Sequence, residues 1–239
     1  MIRSDLNFSK LPNIINDLNT ILVPPVCFGC NARLYRGEQI LCVSCRAQLP
    51  LTEFNFSTEN SLDRVFYGRI PIQKAASYLY FYENGLVQNL LHYLKYRNQP
   101  RISHLLGKWY GEILKQDDAL PKIDMVIPVP LHPKKLKKRG YNQVAGFGQE
   151  IAIQLKADYR EDILSKTSHT RTQTQKSRIF RWQHEKPVFK LLYPSILHRC
   201  RILLVDDVVT TGATLEACSK VLLEVGEVEV YIATMAMVP

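Results

Sequence analysis

The residues best suited to chemistry lie between Ile202 and Thr214, in the run ILLVDDVVTTGAT. Apolar residues lead into an adjacent acid pair, Asp206 and Asp207, and two valines separate that pair from Thr210, Thr211, Gly212, Ala213 and Thr214. In a parallel sheet, ligands bind at the carboxyl ends of strands. There the unpaired N–H groups and the positive end of the next helix can hold a phosphate dianion. Gly212 lets the backbone approach closely, and the threonine hydroxyls add donors. Each charge-assisted hydrogen bond contributes roughly 1.5–3 kcal/mol, so several suffice to anchor a 5-phosphate. The two carboxylates would accept hydrogen bonds from ribose hydroxyls and place a negative field where an oxocarbenium-like cation develops. The chemistry implied is phosphoribosyl transfer. The plainer alternative is an ordinary strand-to-helix turn with a solvated acid pair. Buried adjacent acids without partners are costly, and TTGAT is more than a generic turn requires.

Two basic segments accompany this motif. The first, IPVPLHPKKLKKRGYNQ, runs from Ile127 to Gln143 and places Leu131 and His132 at a proline-rich turn, with Arg139 and four lysines beyond it. The second, from Ser168 to Glu185, carries Arg171, Thr172, Gln175 and Arg181 among polar residues. A loop of that length in a compact domain is usually functional or disordered. Phe180 and Trp182 lie within it. It could therefore also present a single-stranded nucleic-acid surface, with aromatic rings stacking on bases. Simple solvation is the plainer alternative for both segments. Together they hold much of a net charge of +9, which attracts polyphosphates or nucleic acid.

Cys27, Cys30, Cys42 and Cys45 form C-x2-C-x11-C-x2-C. This spacing matches an all-thiolate tetrahedral zinc site, structural because four thiolates leave no position for substrate. Disulfides are the alternative, and nothing in the sequence suggests secretion. Cys200 and Cys218 read as small core residues.

The elements that must position these groups can be read from periodicity. Leu11, Ile14, Ile15, Leu18, Ile21 and Leu22 share one helical face, and Pro24-Pro25 stops that helix. The cysteine pairs then read as two knuckles and a short β-ribbon ending near Pro50. Residues 51–70 lack a helical period and read as a linker. A strand is expected over Lys74–Tyr82, then helices through Leu86–Leu94 and Ile102–Leu114. From Asp124 the pattern alternates: strand Met125–Pro130, helix Val144–Leu155, strand Arg201–Val205, helix Leu215–Val225 ended by Gly226, and a last strand. Such alternation implies a parallel sheet with right-handed crossovers. His92, Lys95 and Arg97 could face the site, although charges at such spacing are more often solvated helix positions. No apolar run approaches the roughly 20 residues of a membrane span, and the N-terminus does not read as a signal peptide, so a cytoplasmic location is expected.

The Asp206–Thr214 segment resembles the signature of type I phosphoribosyltransferases that binds 5-phosphoribosyl 1-diphosphate (PRPP). More broadly, the four-cysteine ribbon, LKYR, IPVPLH, KRGYNQ, RTQTQ and VDDVVTTGAT occur in an order similar to that of the ComF family, which includes ComFC-type competence proteins and GntX-type proteins. The resemblance spans about Leu22 to Val238. It implies an α/β fold of the type I phosphoribosyltransferase kind, a Rossmann-like parallel sheet with flanking helices, over residues 51–239. A zinc ribbon would precede it over residues 1–50. It further implies that Asp206 and Asp207 bind ribose, that Thr210 to Thr214 bind the 5-phosphate, and that Leu131 and His132 form the pyrophosphate turn. Arg139 and the lysines beside it would supply positive charge to that turn, and the basic loop would close over the substrate to exclude water, with Arg171, Thr172, Gln175 and Arg181 contacting the diphosphate. Magnesium would bridge diphosphate and ribose oxygens. A link to DNA uptake follows, with single-stranded DNA or uptake proteins as partners. The resemblance leaves the acceptor open: any hood that selects it must come from around residues 51–100.

Overall fold

The computed structural model describes residues 24–167 and 188–239. The helix expected over residues 11–22 and the basic loop with Arg171 and Arg181 lie outside the described residues. The chain divides into two compact units between Leu49 and Pro50.

Among the described residues of the first unit the expected β-ribbon is reduced to one antiparallel bridge, Val26 to Arg33. The turn inside it closes through Cys27 N–H donating to Ala32 (2.8 Å) and Asn31 N–H donating to Cys27 (2.8 Å). A short helix α1, Val43–Ala47, follows, capped by the Cys42 side chain. Phe28, Leu34, Ile40 and Leu41 form a small apolar centre around the cysteines.

The second unit begins with a correction. Residues 51–70 are not a linker, because Ser61–Phe66 forms helix α2 and buries Leu62 and Phe66 completely. A reciprocal cap nucleates it. Asn60 Oδ1 accepts from the N–H groups of Leu62 (2.9 Å) and Asp63 (3.1 Å), and Asp63 Oδ2 accepts from Asn60 N–H (3.0 Å). The same two side chains hold the neighbouring strand: Asn60 donates to Ala75 O (2.9 Å), and Asp63 accepts from Ala75 N–H (2.9 Å). A six-residue helix is too short to show a 3.6 period. Its legible signal was the capping box.

Strand β1 spans Lys74–Tyr80, helix α3 Leu86–Tyr96 and helix α4 Arg101–Lys115. Strand β2, Met125–Pro128, leads to helix α5, Pro133–Arg139, and helix α6, Ala145–Leu155. Then come β3 (Asp158–Tyr159), β4 (Leu164–Lys166), β5 (Phe189–Leu191), β6 (Arg201–Val209), helix α7 (Ala213–Leu223) and β7 (Glu229–Met237). Five strands form one parallel sheet in the order β1-β7-β6-β2-β3. Strands β4 and β5 pair separately and antiparallel, flanking the basic loop. This is the open parallel α/β sheet with flanking helices expected from the alternation.

Central strands β2, β6 and β7 are apolar on both faces, as a sheet covered on both sides requires. Ile202 and Leu204 share an apolar core with Leu215, Cys218 and Leu222 of α7. On the opposite face α6 lies against Val205, whose methyl is 3.1 Å from where a Cβ on Gly148 would stand. Helices α4 and α6 cross so closely that a Cβ on Gly107 would stand 2.6 Å from the Phe147 carbonyl oxygen. Only glycine admits that crossing. It lets Ser103 of α4 accept from Phe147 N–H (2.8 Å) and donate to Gln143 O (2.7 Å). The start of α6 is thereby fixed, and with it the residues just before it.

Candidate functional site

Strand β6 carries the acid pair inside its span rather than at its end. The strand runs on to Val209, beyond the expected stop at Val205. Successive residues of a strand point to opposite faces, so the two acids part. Asp206 shares the parity of Ile202 and Leu204 and lies on the α7 side, where its charge, after burial, raises the Cys218 thiol. Asp207 shares the parity of Leu203 and Val205 and faces the α6 side. Each residue is only 8% exposed.

Asp207 has partners. Lys95 Nζ stands 2.8 Å from its Oδ2, and Gln143 Nε2 donates to the same oxygen at 2.8 Å. Asp206 accepts from the N–H of Asp207 (2.8 Å), and among the described residues no cation forms an ion pair with it. Burial, and then the negative charge of Asp207, push the Asp206 carboxyl up to about 8, against weaker pulls from Lys95 and Lys166. An acid so placed tolerates its charge only when a donor or cation arrives.

Beyond β6 the chain turns through exposed Thr210 and Thr211 to Gly212, which adopts φ 73° and starts α7. A Cβ on Gly212 would stand 2.7 Å from Val65 Cγ1 and 3.0 Å from Phe66 Cε1, so helix α2 packs directly beneath the turn. Among the described residues no side chain caps α7. Its first N–H groups therefore face a small pocket of about 40 Å³, lined by Asp206, Val208, Val209 and Thr210 to Leu215. Thr211, Ala213 and Thr214 are exposed at its rim. Arg69 braces the turn by donating from Nη1 to Thr211 O (2.7 Å) and from Nε to Glu216 (2.9 Å).

The second constellation meets the first at the sheet. Val129 N–H donates to Val205 O (2.9 Å), which sets the end of β2 beside the acids. Leu131 and His132 follow, both half-buried. His132 is a helix cap: its Nδ1 accepts from Lys134 N–H at 3.1 Å. The lysine run is a helix, α5, with Pro133 at its start and Gly140 at φ 83° ending it. Lys134, Lys135, Lys137 and Lys138 are exposed on it. The RGYNQ stretch then ties the parts together. Arg139 donates to Gln143, Tyr141 to the Leu94 carbonyl, and Asn142 Nδ2 to Val129 O (3.0 Å). A pocket of about 330 Å³ opens between α3 and α5, lined by Lys95, Tyr96, Asn98, Lys135, Lys138 and Arg139.

The structure thus brings Asp206, Asp207, Thr210 to Thr214 and Arg139 to one end of the sheet, with Leu131 and His132 on the adjoining loop. Arg171 and Arg181 fall outside the described residues. Of the three residues that could face the site or be solvated, Lys95 faces Asp207, whereas His92 and Arg97 are exposed. The stripe held the signal: Val87 and Leu91 are buried, and Lys95 continues that row at the next i+4 step. Gln143 and Arg69 were missed, because nothing in their local sequence marks the contacts they make.

In the first unit the four cysteines converge. Their sulfurs all lie within 4.8 Å of one another, and Cys30 Sγ is 3.8 Å from Cys42 Sγ. A tetrahedron with metal–sulfur bonds of about 2.3 Å has edges of about 3.8 Å. Backbone N–H groups of Gly29, Cys42 and Cys45 point at the sulfurs of Cys27 and Cys42 at 3.3–3.4 Å, which favours thiolates. No disulfide joins them. The cluster could hold a metal ion such as zinc. Among the described residues no helix is long and apolar enough to cross a membrane.

No protein-family model matches the chain. Among curated proteins it is 32% identical to Competence protein F of Haemophilus influenzae over 151 residues, covering 62% of this chain and 66% of that protein. The matched part is thus just under two thirds of the relative's length. It is 27% identical to DNA utilization protein YhgH of Shigella flexneri over 210 residues, covering 87% and 88% of the two chains. Among solved structures it is similar to the glutamine PRPP amidotransferase of B. subtilis, at TM-score 0.42 and 21% identity, covering 61% of this chain and 30% of that one. That last likeness is distant.

Proposed function

We propose that the chain, which is similar to Competence protein F and DNA utilization protein YhgH, binds PRPP with magnesium and transfers its phosphoribosyl group. One observation carries the reading. Strand β6, the Gly212 turn and α7 set Asp206 and the start of a helix around one pocket, with Asp207 next to it on the other face of the strand.

In this reading the α7 N–H groups and the hydroxyls of Thr210, Thr211 and Thr214 grip the 5-phosphate. Gly212 and Ala213 keep the turn small enough for the anion to reach the backbone. Asp207 accepts from a ribose hydroxyl, and Asp206, raised by burial, gains a partner when the sugar arrives. The C1–oxygen bond to the diphosphate breaks, and pyrophosphate leaves with the electron pair. A bond from C1 to the acceptor then forms. The fixed carboxylates stabilise the cationic centre between these events. Leu131, His132, Arg139 and, from the basic loop, Arg171 and Arg181 surround the departing anion. Magnesium would come with the diphosphate and neutralise part of its charge. The cysteine cluster would hold zinc in a structural role. A role in competence or DNA utilization fits the names of the relatives, and a cytoplasmic setting goes with this reading.

The test is thermal unfolding with PRPP and magnesium. A ligand at 100 times its Kd stabilises by about 2.7 kcal/mol. The melting temperature should rise, and a screen of acceptors should release pyrophosphate. No thermal shift at millimolar PRPP would end this reading. A second reading draws on the exposed cations of α5: the chain binds single-stranded DNA and keeps the PRPP site without turnover. It predicts oligonucleotide binding that weakens steeply with salt.

A further inference from the structure

Lys95 belongs to two places at once. Its ammonium is 2.8 Å from Asp207 Oδ2, and its side chain lines the basic pocket shared with Lys135, Lys138 and Arg139. Arg139 reaches the same acid by a second route, through Gln143, whose amide oxygen accepts from Arg139 while its Nε2 donates to Asp207. The pocket and the acid strand are therefore joined by two polar relays.

A neutral sugar hydroxyl is a weaker partner for a carboxylate than an ammonium is. Ribose alone must compete with Lys95 for Asp207. An oligophosphate in the pocket changes that competition, because it offers Lys95 a second, more highly charged acceptor beside three other cations. The lysine stem is long and flexible, so its head can turn from one acceptor to the other.

We propose that the pocket between α3 and α5 takes an oligophosphate, and that Lys95 couples its occupancy to the acids by leaving Asp207 free for the ribose. The inference rests on the reading that a ribose binds at Asp206 and Asp207. It makes Lys95 a positioning residue: in the empty site it fills the sugar's place, and in the loaded site it holds the leaving group. A ligand carrying both sugar and diphosphate then binds better than its halves would alone, which selects PRPP over ribose 5-phosphate.

The test is calorimetry of the full chain with ribose 5-phosphate in magnesium, with and without saturating inorganic pyrophosphate. Linkage makes the coupling reciprocal. In the wild type, pyrophosphate should tighten ribose 5-phosphate binding by about fivefold or more. Lys95→Met should bind ribose 5-phosphate more tightly than the wild type without pyrophosphate, and pyrophosphate should add nothing. Lys135→Gln with Lys138→Gln, both at exposed positions, should lose the pyrophosphate effect and decides the matter if Lys95→Met does not fold. Enhancement that persists in either variant overturns the coupling. Ribose 5-phosphate binding that pyrophosphate never affects overturns the coupling alone, whereas no ribose 5-phosphate or PRPP binding removes the proposed function as well.

Discussion

Gln143 donates from Nε2 to Oδ2 of Asp207 across 2.8 Å, which ties the RGYNQ turn to the acid strand. Both residues are buried, so the bond is shielded from water. Gln143→Leu removes one donor to Asp207, which keeps Lys95 and the Val208 N–H as partners. A hydrogen bond to a charged group contributes about 1.5–3 kcal/mol, and urea unfolding should show a loss of that size. A variant as stable as the wild type would mean that water or Lys95 replaces the amide without cost.

Gly212→Ala should destabilise the protein by about 1–3 kcal/mol, the scale of a non-glycine residue held in a left-handed conformation. The φ of 73° is one cause, and the Val65 methyl at 2.7 Å from the new Cβ is the other. Because α2 supports the turn from below, the turn must lift, and phosphate affinity should fall with stability. Unfolding and phosphate titrations of the same variant check both. Unchanged values in each would show that the turn is looser than its packing implies.

Asp206 should leave a signature in the pH dependence of stability. Burial and the charge of Asp207 raise it from 3.8 to about 8. The folded state therefore binds its proton more tightly than the unfolded state. The associated stability is full below about pH 4 and is lost as pH rises through about 8. Asp206→Asn carries no such proton. The urea midpoint of the wild type, minus that of the variant, should fall between about pH 4 and about pH 8. A flat difference would place Asp206 in a more polar setting than its burial implies.

The cysteine cluster should carry one metal ion per chain, released by a thiol-modifying reagent and detected with a chromogenic chelator. Zinc contributes roughly 10–16 kcal/mol to folding of such modules. Cys27→Ser and Cys45→Ser, at the two buried sulfurs, should therefore lose the metal and the fold of the first unit together. Retention of stoichiometric zinc by both variants would contradict the four-thiolate assignment.

Much of this architecture was readable from the chain, for physical reasons. Buried parallel strands are apolar runs, and Met125–Pro128 and Ile202–Val205 stood out as such. The helical stripes over Leu86–Leu94 and Ile102–Leu114 were long enough for their period to show. Cysteine spacing is dictated by tetrahedral geometry and needs no tertiary context. What escaped was short or non-local. Helix α2 has too few residues for periodicity, and α5 buries no residue, so no apolar stripe marks it. Lys95, Gln143 and Arg69 act on residues far away in the chain, and a polar residue's sequence neighbours do not say which acid it will meet. The separation of Asp206 and Asp207 onto opposite faces was legible in principle. It follows from the alternation of a strand once the strand is known to continue to Val209.

The most direct measurement is a calorimetric titration of PRPP with magnesium into the wild type and into Asp206→Asn with Asp207→Asn, both replacements close to isosteric. The account predicts saturable binding to the wild type near one site per chain and no measurable heat of binding to the double variant at the same concentrations. Equal affinity in the two proteins, or no binding to the wild type, would contradict it.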